Sequence, residues 1–257
     1  MNLLKSSNPT LNNAFGGFSY STTQSEVMTL NGTINKTIIS LLLVMVGAGF
    51  TWKMTLAAGG SAMIWTIGGA IVGLILGLVT SFKREWAQYT VPFYALAEGL
   101  FLGGISAFIA GSLSTSPEAG INNQIVIQAV ALTVGVFFVM LLLYRSKIIQ
   151  PTAKFAMGLA AATGGIFFFY LISWVVGMFG VNMNLLHGNG SLAIGINLVI
   201  VVVAALNLIM DFHFIEEGVA NRAPKYMEWY GAFGLMVTLI WLYIELLKLL
   251  SRFASRD

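Results

Sequence analysis

The sequence predicts an all-α, polytopic transmembrane bundle of seven helices. Two bulk observations and one pattern carry that expectation. Of 257 residues, 57% are hydrophobic and only 9% charged, and the mean hydropathy is +0.84. A soluble domain carries about 25% charged residues, so this chain lacks the polar groups to cover itself against water. The pattern is a series of apolar stretches, each near the roughly 20 residues that cross a hydrocarbon core as a helix.

Seven stretches qualify: Ile34–Leu56, Ser61–Phe82, Tyr89–Leu113, Gln124–Tyr144, Phe155–Phe179, Leu192–Ile215 and Met227–Leu250. Short connections rich in turn and charge signals separate them, and Ala57 to Gly60 alone divide the first two, which predicts a tight helical hairpin. The expected organisation is a polar N-terminal tail over 1–33, a membrane domain over 34–250 and a short basic C-terminal tail over 251–257. The opening residues lack a basic-then-apolar signal pattern and read as a tail, not a cleaved signal peptide. No internal repeat of the transporter kind is visible.

The net charge is +3 and the pI near 9.2. In a membrane protein this basic excess reads as topology and not as nucleic-acid binding. Lys5, Lys36, Lys83, Arg84, Arg145, Lys147, Lys154, Arg222 and Lys225 fall on one side, and Lys53, Lys248, Arg252 and Arg256 on the other. The heavier side marks the cytoplasm, so the N-terminus is expected there. Seven crossings then place the basic C-terminal end outside. Either that tail is a tolerated exception, or the last segment does not cross completely.

Span 2 carries Gly69, Gly73 and Gly77 at four-residue spacing, and span 3 carries Gly99 and Gly103. Such spacing lets another backbone approach closely. Close packing explains it without a pore, although a gating seam would need the same groove. Trp52, Trp86 and Trp229 lie near span ends as interface anchors, while Trp65, Trp174 and Trp241 are expected to pack inside.

Three carboxylates lie within spans: Glu98, Asp211 and Glu245. A charge at the bilayer centre costs roughly 2.5–3.5 kcal/mol on insertion scales, so acids at such depth are candidate proton sensors or cation ligands. No span has a Lys or Arg near its middle. Asp211 is the leading candidate, because Asn197, Ala204, Asn207 and Asp211 form a small, polar stripe on one face of span 6. On span 7, Thr238 and Glu245 share a face, and Lys248 lies one turn beyond the acid. Glu245 can equally be a snorkelling end residue paired with Lys248.

Other chemistries are disfavoured. The chain has no cysteine, which removes disulfides, thiolate metal sites and a Cys nucleophile. His213 lies roughly 200° round the helix from Asp211, so the two do not converge on one metal, and His187 falls in a loop. No HExxH, Gly-x-Ser-x-Gly or Walker motif occurs, and Lys248 is too near its helix end for a retinal Schiff base. No enzymatic activity and no fixed cofactor are expected.

The segment ALNLIMDFHFIEEG, the later APKYMEWYGAFGLMVTLIWLYIELLKLLSR, the EGLFLGGISAF stretch from Glu98 and the opening SSNPTLNNAF together resemble the Bax inhibitor-1/YccA family, in a bacterial branch. The resemblance covers nearly the whole chain. It implies a seven-helix bundle with the last helix near its centre, in a bacterial plasma membrane. Some members of that family conduct a pH-sensitive calcium leak, and others are linked to stress or cell-death control or to regulation of a membrane protease. Its pH sensor is a pair of aspartates in helices 6 and 7. The first carries over onto Asp211; aligned without gaps, the second falls on Thr238, which cannot titrate. The reading is thus a cation leak, with calcium as the transported ion and Asp211 as its main group. Glu98 and Glu245 are secondary, with Asn207, Asn197 and Thr238 behind the acids. The alternative is a non-conducting regulator that holds a membrane protease or a stress-response partner.

Overall fold

A computed structural model describes residues 27–58, 61–113, 123–179 and 190–255. Among these, seven α-helices are long and apolar enough to cross a membrane. In chain order they are α1 (Leu30–Ala58), α2 (Ser61–Phe82), α3 (Ala87–Ser112), α4 (Asn123–Arg145), α5 (Ala153–Met178), α6 (Ser191–Ala220) and α7 (Met227–Ala254), with one 3-10 turn, Arg84–Trp86, before α3. The loop holding His187 and the turn glycines Gly59 and Gly60 lie outside the described residues, as does the SSNPTLNNAF opening.

The expected spans match these helices closely, and the differences are instructive. The first helix starts four residues before Ile34, and three residues ahead of it are already tied down, inside the expected tail. Val27 pairs with Pro224 as an isolated antiparallel bridge, and the Met28 amide donates to the Ala223 carbonyl at 2.7 Å. The last helix runs four residues past Leu250. Both extensions are too polar for a hydrophobicity window to include, yet backbone hydrogen bonding continues through them.

Hydroxyl residues inside the spans are made compatible with lipid by bonding to the carbonyl one turn back. Thr37 donates to Thr33 O, Thr80 to Leu76 O, Thr133 to Ala129 O and Ser173 to Phe169 O. Thr152 caps α5, accepting from the Phe155 amide at 3.2 Å, where the chain leaves Pro151.

Burial ranks the helices. In the most apolar window of α7, 67% of residues are buried, against 56% in α3 and α6 and 11% in α5, so the last helix is the interior one. Trp174 is 65% exposed and Trp65 is also exposed, which corrects the expectation that both pack inside. In lipid an outward indole costs nothing in hydrophobic burial, and Trp65 makes an edge contact with Phe50 at 5.5 Å.

The chain divides into two compact units, Met1–Gly104 with Asp211–Met236 and Ile105–Met210 with Val237–Asp257. Glu98 and Asp211 belong to the first, Glu245 to the second.

Candidate functional site

In the first unit the glycine bands set how closely the helices approach. A Cβ on Gly69 would lie 2.6 Å from the Ala97 carbonyl. One on Gly99 would overlap the Val44 carbonyl, and one on Gly103 would overlap Ala48. The last two bring α3 backbone to backbone with α1, an approach that only glycine permits. Gly47 on α1 does the same against the Leu96 carbonyl, and Gly104 on α3 leaves room for the Thr66 side chain of α2; spacing gave no hint of either.

Further along α2 the glycines face side chains. A Cβ on Gly73 would come within 2.9 Å of Glu98 Oε1, and one on Gly77 within 3.3 Å of the Tyr94 ring. The Tyr94 phenol lies beside Glu98, one turn on. The Tyr94 ring meets Phe233 of α7 edge-on, with centroids 5.0 Å apart. Asp211 lies beside the next residue, its Oδ1 3.7 Å from a Cβ built on Gly234. Two membrane-depth carboxylates thus lie beside one aromatic contact, each facing a glycine of a neighbouring helix. Neither is fully buried. Asp211 is intermediate in exposure as a residue, with its Oδ2 buried.

The fully buried acids lie elsewhere. Glu228, in the first turn of α7, is 1% exposed. It accepts from the Thr29 amide at 2.9 Å and the Thr29 hydroxyl at 2.8 Å, and forms a salt bridge with Lys36. Lys36 also lies over the Trp229 ring, 5.7 Å from its centroid. Beside this lock, Arg84 stacks on Tyr230 at 5.4 Å. Burial pushes the Tyr226 phenol above its usual range, Glu85 pushes it further and Arg84 opposes both.

In the second unit Glu245 is 2% exposed. It accepts from Tyr170 at 3.0 and 3.1 Å, from the Asn197 amide at 2.8 Å and from Lys248 at 2.6 Å. The pairing with Lys248 was expected; snorkelling was not what resulted, because three helices close over the carboxylate. Asn207 donates to Thr163 at 2.9 Å, so the polar stripe of α6 is shared between different partners and does not converge on one acid. Thr238 is buried. Between α5 and α6 a groove of about 680 Å³ is lined by Gly165, Phe169, Gly195, Val199 and other apolar residues; it presents no acid.

Among the described residues, no three His, Cys, Asp or Glu side chains converge as a metal cluster. Calcium takes six to eight oxygen ligands.

No curated protein and no solved structure matches the chain. A family model does, described as Bax inhibitor 1 like, over residues 8–255. The seven spanning helices and that match across nearly the full length agree: the chain is a multi-pass membrane protein of the Bax inhibitor 1 like family.

Proposed function

We propose that the protein is a passive cation leak in a bacterial plasma membrane, with its N-terminus in the cytoplasm, calcium as the transported ion and Asp211 as the main ion-contacting group. The observation that carries the reading is the pair of carboxylates, Asp211 and Glu98, seated against Gly234 and Gly73 beside the Tyr94–Phe233 contact. At membrane depth a carboxylate demands a proton or a cation.

Liposomes loaded with a calcium dye test the proposal. Wild-type protein should admit calcium faster than empty vesicles, Asp211→Asn should slow it at least several-fold, and Glu98→Gln should have a smaller effect. Equal rates for wild type and empty vesicles, or an unchanged Asp211→Asn, would sink it.

A second reading rests on the anchoring of Val27, Met28 and Thr29 against Pro224, Ala223 and Glu228. A partner that grips the preceding tail would pull directly on the α6–α7 loop, as a regulator of a membrane protease would need. Deleting residues up to Ser21 should then lose a co-purifying membrane protein and leave any leak intact.

A further inference from the structure

Glu245, only a secondary group of the leak in the sequence, is not needed by the Asp211–Glu98 proposal, and its surroundings are those of an occupied ion site. A carboxylate this deep requires a cation, and Lys248 supplies it from three residues along the same helix, with its own side chain 30% exposed. The ammonium places two of its three N–H donors on oxygens of the cluster, Glu245 Oε1 at 2.6 Å and Tyr170 Oη at 3.2 Å. It also lies 4.9 Å from the centre of the Tyr170 ring, in cation–π range. Arg252, the next cation along α7, is directed to the Ala193 carbonyl at 2.7 Å.

A second observation points to the same place. Asn197 is 2% exposed and gives its amide N–H to Glu245 Oε2, while its Oδ1 is buried and accepts no hydrogen bond. A buried acceptor left unused costs about 1–3 kcal/mol. A half-turn of this amide would aim Oδ1 at the carboxylate, which is favourable when a cation or a proton sits between the two oxygens.

We propose that Glu245, Tyr170 and Asn197 form an oxygen-lined site for a monovalent cation of ammonium size, and that Lys248 is its tethered occupant. The partly exposed stem lets Lys248 withdraw, and an external cation then takes its place with Asn197 Oδ1 turned inward. The site stands independently of the leak, because its occupancy is read by binding and not by flux.

The test uses the full chain in detergent, with methylammonium, potassium or N-methylglucamine chloride at equal ionic strength. Lys248→Ala should gain a saturable rise in melting temperature with methylammonium or potassium and none with the bulky N-methylglucamine. The rise should vanish in Lys248→Ala with Glu245→Gln, and wild type, whose own ammonium competes for the site, should show a smaller rise. If Lys248→Ala does not fold, Lys248→Met keeps the apolar stem and carries the same comparison. On wild-type protein, potassium should speed acetylation of the Lys248 amine relative to N-methylglucamine, and Glu245→Gln should abolish that dependence. The proposal is overturned if the foldable Lys248 variant melts identically in all three salts, if the rise survives Glu245→Gln, or if Lys248 acetylation ignores the cation.

Discussion

Lys147 and Arg222 have φ of 57° and 51°, in the left-handed region where a side chain costs roughly 1–2 kcal/mol. Each closes a helix in the same way. The amide of Ile148 bonds back to Leu143 O and that of Lys147 to Tyr144 O, and Ala223 and Arg222 repeat the pattern on Gly218 and Val219. This is the closure in which glycine is the default. Lys147→Gly and Arg222→Gly should therefore each leave stability unchanged or raise it, by up to about 1 kcal/mol. A fall in melting temperature in detergent would show that the side chains hold contacts worth more than the strain. The membrane glycines should respond in the opposite sense. Gly99→Ala forces a Cβ into the Val44 carbonyl and should cost about 1–3 kcal/mol. Gly164→Ala, with nothing within 4 Å, should be neutral or gain up to about 1 kcal/mol. The bands at Gly99 and Gly103 were legible because their four-residue period declares one face. Tyr170 was not: it meets Glu245 across 75 positions of sequence, and no local pattern marks one tyrosine among the aromatic residues of α5. Glu228 was missed for another reason. A charge in a first helical turn reads as a surface group, and its partner Lys36 read as a topological charge.

Helix α1 is fastened at its start to the start of α7, and Glu228 is the centre of the fastening. Removing one partner of a buried pair leaves an uncompensated charge and costs about 3–5 kcal/mol. Lys36→Met should therefore destabilise strongly, while Lys36→Met with Glu228→Gln should recover much of the loss. Additive losses in thermal unfolding would mean the two residues act separately. Upstream of this pair, Val27 and Pro224 are bridge partners. Antiparallel partners have Cα atoms about 4.5–5.5 Å apart, within the range a disulfide spans. The chain has no cysteine of its own, so Val27→Cys with Pro224→Cys should form a single intramolecular bond on mild oxidation. Reduction should reverse a rise in melting temperature of the sort a long closed loop gives. Failure to cross-link would deny the anchoring. At this scale the spans themselves were readable from length and apolarity alone, and their ends were not. Hydrophobicity stops where lipid stops, whereas α1 and α7 continue as long as their backbone groups find partners.

The whole chain faces one unresolved conflict between charge and crossing number. An odd number of spans puts the two ends on opposite sides, while Lys248, Arg252 and Arg256 would favour the same side as the N-terminal cations. The crossing itself is geometrically sound. Helix α7 has 28 residues, or roughly 42 Å at 1.5 Å per residue, more than the core of about 30 Å. Two of the three contrary charges are also engaged within the protein: Lys248 rests on Glu245, and Arg252 donates to the Ala193 carbonyl. An ammonium already neutralised by a buried carboxylate is a poor topological signal. On the opposite side, Lys147 and Arg222 occupy strained positions where glycine would fold more easily, and that strain is intelligible if their charge is needed in the cytoplasm. Single cysteines in this cysteine-free chain can decide the matter. Ser146→Cys, in the loop between α4 and α5, should react with a membrane-impermeant maleimide only after the cells are opened. Ser255→Cys, just past α7, should react in intact cells. Labelling of both from the same side would mean that α7 enters without crossing, and the seven-span topology would have to be redrawn with six.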